Sequence, residues 1–287
     1  MKKFCKQLYN NCRLFLQSVV SVMSVFLFSS RKAAKRIKML QKTNKKNSCV
    51  ILGNGPSLKN SIKGKEVAFS DMDTVAVNLF CTTDAFQAIK PKYYVLTDPA
   101  FFDDNVTEER VKQEQTKLKE GLSLVDWRMI LFLPSINKNS KMTEQLANSN
   151  VEVFYYNLTP LEGFLSLQHA YFKRNLGMPT AMNVLCAAIF LMINVGYKKI
   201  YLLGADHSWL SSFFINDDNE VILGDKHFYG DQTIKCPYSL SKWLYNQHVG
   251  FKSHERLEEY ARYRNVEVLN ATKGSYIDAY KREYIID

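Results

Sequence analysis

The chain has 287 residues, of which 46% are hydrophobic and 13% aromatic, and its formal net charge is +10. This composition excludes an intrinsically disordered protein and predicts a chain long enough to bury a full core. Twelve of the 38 basic residues fall within residues 1–46, which contain no acidic residue, whereas the remaining 26 face 28 acidic residues. Because residues 47–287 therefore carry a net charge of −2, they lack the basic surface that a duplex requires, and we expect no nucleic-acid partner.

The first predicted element is a basic leader, residues 1–46, built around an apolar segment at residues 14–30. This segment is at the lower limit of length for crossing a bilayer, and serines and a glutamine interrupt it. Lysine and arginine residues flank it on both sides, a pattern that suits a helix lying on an anionic membrane surface better than a cleaved signal peptide. We therefore predict a membrane-associated helix, with an ordinary packing helix as the alternative.

An apolar run that ends in a glycine-containing turn follows the leader, at residues 50–58. Its sequence is Val-Ile-Leu-Gly-Asn-Gly-Pro-Ser-Leu. A continuous apolar run is typical of a buried parallel strand, and glycines at its carboxyl end let the backbone approach a ligand closely. The spacing is neither the dinucleotide fingerprint nor the phosphate loop, so it does not by itself indicate NAD or ATP. We predict a nucleotide-binding turn, the alternative being a purely structural strand-to-helix turn.

The remaining elements alternate between strands and helices. Strands are predicted at residues 49–52, 73–79, 92–97, 128–133, 151–156, 199–203 and 266–269, and helices at residues 107–120, 161–174, 180–194 and 252–264. The helix at 180–194 is almost wholly apolar and precedes a glycine and a strand, the order that a βαβ unit requires. These elements predict an α/β fold with a mostly parallel, doubly wound sheet in residues 47–287. Residues 208–242 look irregular and are predicted to be a lid or acceptor-binding insertion.

Polar side chains stand at the ends of four predicted strands. Asn54 follows the first strand, Asn78 lies in the second, and Asp98 and Asp206 follow two later ones. Because parallel strands end at a common edge of the sheet, we expect these side chains to converge on one crevice. Amides there suit a base and a ribose, and a carboxylate suits a ribose hydroxyl. Both residue types also form simple turns, but their recurrence favours a nucleotide site.

Two of these stretches resemble a known family. They are Gly-Asn-Gly-Pro-Ser-Leu at residues 53–58 and Gly-Tyr-Lys-Lys-Ile-Tyr-Leu-Leu-Gly-Ala-Asp at residues 196–206. With an asparagine in the second strand and a proline after the third, they resemble the bacterial family 42 sialyltransferases. They also resemble the broader 6-hydroxymethylpterin diphosphokinase-like group, which includes motility-associated glycosyltransferases. The resemblance covers about residues 49–275, in patches.

The resemblance implies a Rossmann-like fold of the GT-A-like kind and an inverting, metal-independent glycosyltransferase. Its donor would be a CMP-activated acidic sugar, and no further cofactor is expected. Its acceptor would be a cell-surface glycan of a lipopolysaccharide or capsule, free or lipid-linked. Together with the basic leader, this predicts a protein at the cytoplasmic face of the bacterial inner membrane. A diphosphokinase-like enzyme that uses ATP and Mg²⁺, and a non-catalytic nucleotide-binding scaffold, are the alternatives.

The resemblance also implies site residues. It makes His248 the general base, with Tyr245 three residues earlier matching a tyrosine of the family. An imidazole that titrates near neutrality suits deprotonation of an acceptor hydroxyl. Two tyrosines of the family hold the donor phosphate, but the corresponding positions here are Ser208 and Phe214, which leaves that role unassigned. The donor is expected to contact Gly53, Asn54, Gly55, Ser57, Asn78, Asp98, Thr180, Gly204, Ala205, Asp206 and Tyr245.

Several other side chains complete the candidate site. His207, His227 and Tyr229 are candidates for a contact with the phosphate or the acceptor, and the two histidines are alternative candidates for the base. A metal site would require the two histidines to meet nearby aspartates, and none is predicted. His169 and His254 are expected on helix surfaces. The six cysteines contain no Cys-x-x-Cys pair and are predicted to be reduced thiols.

Overall fold

The computed structural model describes residues 2–64, 69, 71–146, 148–227 and 230–285. The strands are β1 (Ser48–Leu52), β2 (Asp73–Val77), β3 (Tyr93–Val95), β4 (Met129–Pro134), β5 (Val151–Tyr156), β6 (Lys199–Leu203), β7 (Phe213–Ile215), β8 (Val221–His227), β9 (Gly230–Lys235), β10 (Glu267–Asn270) and β11 (Lys281–Arg282). The α-helices are α1 (Lys2–Phe28), α2 (Arg31–Thr43), α3 (Ser57–Ile62), α4 (Asp84–Ile89), α5 (Glu109–Ser123), α6 (Lys141–Gln145), α7 (Leu165–Phe172), α8 (Val184–Val195) and α9 (Leu240–Tyr263).

A parallel sheet of 8 strands forms the centre of the fold, in the order β11-β10-β6-β1-β2-β3-β4-β5. The chain moves outward from β1 to β5 on one side and then returns to place β6 on the other side of β1. The strand order therefore reverses between β1 and β6. Open α/β sheets bind ligands at such a point, beyond the carboxyl ends of the strands. The predicted Rossmann-like fold with a parallel, doubly wound sheet is confirmed.

Successive residues of the central strand β1 face opposite layers of the core. Cys49 and Ile51 belong to the apolar cluster that contains α8, and Val50 and Leu52 belong to the cluster on the other face of the sheet. Because helices cover both faces, the strand carries a continuous apolar sequence. Helix α8 lies against β1, β2 and β3 and is buried along its whole length.

Several predicted boundaries differ from the observed ones, among them the start of α8, which lies at Val184 rather than at residue 180 because Asn183 is its N-cap. Strand β2 ends at Val77 because Asn78 takes a φ of 48° and opens a 3-10 helix at residues 78–82. Helix α9 begins at Leu240, well before the predicted residue 252, because Ser239 caps its first turn.

The stretch at residues 208–242 is not irregular. Within it, β7, β8 and β9 form an antiparallel sheet of three strands. An Asn-Asp-Asp-Asn turn at residues 216–219 joins β7 to β8. Because β8 and β9 carry many polar residues, their alternating pattern is weak in the sequence.

Helix α2, the second half of the predicted leader, packs into the folded body. Ile37 is fully buried, and Ala33 is buried with it, against β5 and α8. Arg36 donates a hydrogen bond to Glu152 at 2.9 Å and lies 4.1 Å from the centre of the Phe154 ring. The basic residues of this segment therefore belong to a packed helix rather than to a free tail.

In its second half, helix α1 turns two serines toward the protein and exposes most of its apolar side chains, although Val25 is buried in the core. Ser18 and Ser21 are buried, and Ser21 exchanges hydrogen bonds with the backbone of Glu162. On the other side Leu16 and Val20 are each 63% exposed. By length and composition α1 could cross a membrane, a test that core helices and signal sequences also pass, and 17% of its most apolar window is buried. This polarity is the reverse of that of a water-soluble amphipathic helix.

Candidate functional site

A cavity of about 460 Å³, the main cavity, opens beyond the carboxyl ends of β1, β2, β3 and β6. Its volume is typical of small-molecule sites, and it lies where the strand order reverses. The turn after β1 and the start of α8 both contribute to its wall. The lining includes Asn54, Gly55, Asn78, Thr97, Asp98, Met182, Asn183, Gly204, Asp206, His207 and Trp209.

The glycines of the predicted turn let two strand ends pack on each other. The N–H of Gly53 donates to the carbonyl of Leu203 at 2.7 Å, and the N–H of Gly55 donates to the carbonyl of Gly204 at 2.9 Å. A Cβ atom on Gly55 would overlap the carboxylate of Asp206, and Gly204 has a φ of 65°. Glycine is required here for close backbone packing as well as for access to the main cavity. Gly55 and Gly204 line this cavity, whereas Gly53 lies behind them.

Two asparagines that line the main cavity have side-chain oxygen atoms without a hydrogen-bond partner. Asn54 donates from Nδ2 to the carbonyl of Val77 at 3.1 Å. Within the described part of the chain, Asn54 Oδ1 and Asn78 Oδ1 are buried and have no hydrogen-bond partner. A buried oxygen without a partner costs on the order of 1–3 kcal/mol. Both oxygens are therefore suited to accept hydrogen bonds from a ligand.

The two carboxylates of the main cavity, those of Asp98 and Asp206, differ in how many of their oxygens already accept hydrogen bonds. Ser57 holds both oxygens of Asp206, since its Oγ donates to Oδ2 at 2.8 Å and its N–H donates to Oδ1 at 3.3 Å. Burial raises the pKa of the Asp206 carboxyl, against the opposing effect of the bonds from Ser57. Asp98 is exposed, and its Oδ1 accepts a hydrogen bond from the N–H of Ala100 at 2.9 Å. Its Oδ2 has no partner among the residues that the structure describes.

His207 connects the main cavity to a buried chain of side chains. It is 6% exposed and has a φ of 50°. Its Nε2 lies 3.1 Å from Asn183 Nδ2 and 3.2 Å from His254 Nε2, and His254 Nδ1 lies 3.0 Å from the hydroxyl of Tyr280. Burial lowers the pKa of His207 well below its usual value and lowers the pKa of His254 to about 3. Both imidazoles are therefore neutral at physiological pH.

The two faces of α9 separate the histidines of this helix. The expectation that His254 lies on a helix surface is wrong, because its side chain is 0% exposed and shares the inner face with Ser253 and Leu257. His248 lies about half a turn around the helix from Leu257. His248 and Tyr245 are exposed, and neither lines the main cavity. The structure therefore does not bring the predicted base to the predicted donor contacts.

Most of the other predicted donor contacts meet at the main cavity. They are Asn54, Gly55, Asn78, Asp98, Gly204 and Asp206, with His207 beside them. Ser57, Ala205 and Thr180 do not line it and hydrogen-bond to neighbouring parts of the protein. The side chain of His227, and all of Tyr229, lie outside the described residues.

Asn183 is a site residue that the sequence analysis missed. Its Oδ1 accepts a hydrogen bond from the N–H of Cys186 at 3.1 Å, which makes it the N-cap of α8. Asparagine directly before an apolar helix is a recognisable N-cap signal. Thr97 also lines the main cavity, at the end of the predicted strand 92–97, whereas Trp209 carries no comparable signal because only tertiary packing brings it there.

Positive character at the main cavity comes from the backbone. Of the described residues in its lining, none is Lys or Arg. The first N–H groups of α8, those of Val184 and Leu185, belong to residues that line this cavity, and they have no acceptor in the described ranges of the chain. A helix N-terminus favours an anionic group through such N–H groups and through the helix dipole.

A second cavity of about 240 Å³ adjoins the main cavity. The two share Met182, Asn183, His207 and Trp209. Leu223 of β8, Ile234 of β9 and Phe251 of α9 contribute to its other walls. The stretch predicted as an insertion therefore borders the site, and its role toward an acceptor stays a prediction.

Of the comparisons with known proteins, the one with solved structures found a similar fold. No protein-family model matches the chain, and a search of curated proteins found no significant match. Among solved structures, the chain is similar to the MAf glycosyltransferase from Magnetospirillum magneticum AMB-1, with a TM-score of 0.50 and 12% sequence identity. The similarity covers 89% of this chain and 38% of that protein, so the chain spans well under half of that protein's length. At this level of identity the likeness shows a shared fold.

Proposed function

We propose that this chain is a glycosyltransferase that binds a nucleotide sugar in the main cavity. The observation that carries the proposal is the pair of unpaired amide oxygens, on Asn54 and Asn78, beside the carboxylates of Asp98 and Asp206. The two amide oxygens accept hydrogen bonds, and the ribose hydroxyls and the base amino group of a nucleotide donate them. The fold shared with a known glycosyltransferase supports sugar transfer.

The proposed donor is a CMP-activated acidic sugar, and the proposed acceptor is a cell-surface glycan. The choice of CMP and of an acidic sugar rests on the resemblance of residues 53–58 and 196–206 to the family 42 sialyltransferases. The exocyclic amine of cytosine is a donor that an asparagine oxygen can accept. Transfer would proceed with inversion and without a metal, as that resemblance implies.

The charge of the main cavity favours a donor with a single phosphate. Its described lining contains Asp98 and Asp206 but neither Lys nor Arg. The triphosphate of ATP would therefore find no cationic side chain in the described lining. The single negative charge of one phosphodiester needs less positive compensation than a triphosphate, and the N–H groups at the start of α8 can supply it. The charge of the described lining therefore favours a nucleoside monophosphate sugar over the ATP that a diphosphokinase would use.

The transfer step requires a base for the acceptor hydroxyl. The hydroxyl oxygen attacks the anomeric carbon, the bond from that carbon to the phosphate oxygen breaks, and CMP leaves with the electron pair. We assign the hydroxyl proton to Asp98, because it lines the main cavity and its Oδ2 is unoccupied by described groups. Asp206 has both oxygens held by Ser57, and His248 does not line this cavity.

Nucleotide binding tests the proposal first. Calorimetry with CMP, CDP, UDP, GDP and ATP, each with and without Mg²⁺, should give the highest affinity for CMP. Asn78→Ala should weaken CMP binding by about tenfold, since it removes one hydrogen bond from a buried site. Asn105→Ala, at an exposed turn, is the matched control. Binding of ATP with Mg²⁺ but not of CMP would support the diphosphokinase instead.

Turnover of a CMP-sugar tests the base and the scaffold alternative. Asp98→Asn should lower kcat by about 100-fold or more, the usual effect of losing a general base, while CMP affinity stays within a few-fold. His248→Ala should leave kcat unchanged. The opposite pair of results would restore His248 as the base. Tight CMP binding without turnover of any CMP-sugar would favour the scaffold.

We further propose that α1 holds the protein on an anionic membrane surface, at the cytoplasmic face of the bacterial inner membrane. The support is its polarity, because Ser18 and Ser21 face the protein while Leu16 and Val20 face outward. A helix of a water-soluble protein would face its apolar side to the core and its polar side to solvent. Basic residues near both ends of the apolar segment complement anionic lipid headgroups. A lipid-linked acceptor glycan would be presented at the same surface.

A further inference from the structure

A buried chain of hydrogen-bonding side chains runs from the main cavity into the core. It consists of Asn183, His207, His254 and Tyr280. His254 and Tyr280 take no part in the proposed transfer step and are not among the predicted site residues. The order of donors and acceptors along this chain determines which nitrogen of each imidazole carries a proton.

The assignment starts at Asn183, whose orientation is set by its role as N-cap of α8. Its Oδ1 accepts from the N–H of Cys186 at 3.1 Å, so its amide nitrogen is the atom that faces His207, 3.1 Å from Nε2. An amide NH₂ group can only donate a hydrogen bond. His207 Nε2 must therefore be the acceptor and carries no proton.

The protonation of His254 follows from that of His207. His254 Nε2 lies 3.2 Å from His207 Nε2 and 3.8 Å from Cys186 Sγ, and lone pairs on both nitrogens at the shorter distance would repel. His254 Nε2 therefore carries a proton, and this N–H donates a hydrogen bond to His207 Nε2. His254 Nδ1 is then an acceptor, which receives the hydroxyl proton of Tyr280 at 3.0 Å. Because burial keeps both imidazoles neutral, the single ring proton of His207 is on Nδ1.

His207 thus has one free polar group, an Nδ1–H donor. The described residues contain no hydrogen-bond partner for Nδ1, although the side chain is 6% exposed and lines the main cavity. The N–H groups of Val184 and Leu185 at the start of α8 belong to the same wall. Together these donors suit an oxygen that becomes more negative during reaction.

We propose that His254 is a positioning residue that holds His207 in the Nδ1–H tautomer, so that His207 donates a hydrogen bond to the leaving phosphate of the nucleotide sugar. The identity of the ligand rests on the proposed function, whereas the tautomer does not. In this arrangement His207 is not the base, because Nδ1 is already protonated and Nε2 faces two donors. The donor lowers the barrier by stabilising charge on the departing phosphate oxygen.

The tautomer is measured directly by ¹⁵N NMR of the full chain labelled at histidine, without nucleotide. We expect His207 to show a protonated Nδ1 and a bare Nε2, and His254 to show the reverse. A protonated Nε2 on His207 would overturn the proposal. The near-isosteric Asn183→Asp keeps the N-cap oxygen but places an acceptor against Nε2, so it should move the His207 proton to that atom. An unchanged His207 spectrum in this folded variant would also overturn it.

The role of the tautomer is measured by CMP titration and turnover. CMP should shift the Nδ1 signal of His207. His254→Gln, whose amide can still donate to His207, should keep kcat within a few-fold, and His254→Phe should lower kcat by about tenfold or more with KM little changed. His169→Phe, on α7 outside the main cavity, is the control. CMP binding without a shift at Nδ1, or equal losses in both His254 variants, would overturn the role. If no nucleotide binds, the proposed function and this ligand fail together, and the tautomer result stands alone.

Discussion

Helices α1 and α8 are both apolar, yet they meet opposite environments. Every residue of α8 is buried, whereas Leu16 and Val20 of α1 are exposed. The difference lies in their polar residues. Asn194 of α8 is hydrogen-bonded inside the core, and the serines of α1 bond to the protein along one side of the helix. The covered side of α1 is therefore marked by its hydrogen-bonded serines, with Val25 beside them, and not by apolar content alone.

The largest expected effect comes from truncating matched aliphatic side chains in the two helices. Ile189→Ala in α8 should lower the free energy of unfolding by about 2–5 kcal/mol, because it leaves a cavity in a packed core. Leu16→Ala in α1 should change it by less than about 0.5 kcal/mol, as expected of an exposed position. Ile189 is 0% and Leu16 63% exposed. Urea denaturation of both variants measures the contrast, and equal losses would contradict it.

Acid pH should lower the stability of the protein through His254, which is buried beside α8. Cys186 of α8 contacts His254, whose pKa burial lowers to about 3. Between about pH 6.5 and pH 3 the unfolded chain binds a proton at this histidine that the native protein does not. Stability should therefore fall as the pH falls below about 6.5, by up to about 1.4 kcal/mol per pH unit. Urea midpoints between pH 7 and pH 5 measure the slope. His254→Gln should make it shallower, and an unchanged slope would count against this assignment.

Membrane binding should depend on the outward side of α1. The double variant Leu16→Glu/Val20→Glu should weaken sedimentation with anionic lipid vesicles by about tenfold or more, because two charges would enter the apolar contact. Leu124→Glu/Phe214→Glu adds the same charge at exposed apolar positions elsewhere and should have little effect. If both double variants lost binding equally, net charge rather than the α1 surface would explain the attraction.

The smallest expected effect comes from the serine side of α1. Ser21→Ala should lower the free energy of unfolding by about 0.5–1.5 kcal/mol, because its hydroxyl both donates to and accepts from the backbone of Glu162. Ser241→Ala, at an exposed position of α9, should be neutral. A neutral Ser21→Ala, measured by thermal or urea unfolding, would show that the inward polar side does not hold α1 to the protein.

Much of the main cavity was predictable, because the carboxyl ends of parallel strands must meet at one edge. Asn54, Asn78, Asp98 and Asp206 were expected there for that reason, and they line it. The histidines were not predictable in the same way. His248 and His254 are six positions apart on α9, and choosing the inner one requires knowing where the helix begins and which side it packs. Asn183 lay within reach of sequence reasoning through its N-cap position.

The sequence by itself determined the succession of strands and helices along the chain, the parallel α/β class and the basic leader. Apolar runs, glycines and charges indicate these features because they act locally. Only the tertiary structure decided that the serine side of α1 faces the protein, that α2 belongs to the core, and that His254 supports His207 from behind. These relations join residues distant in the chain, such as His207 and His254. No local pattern encodes them, because burial and hydrogen-bond partners are properties of the packed molecule.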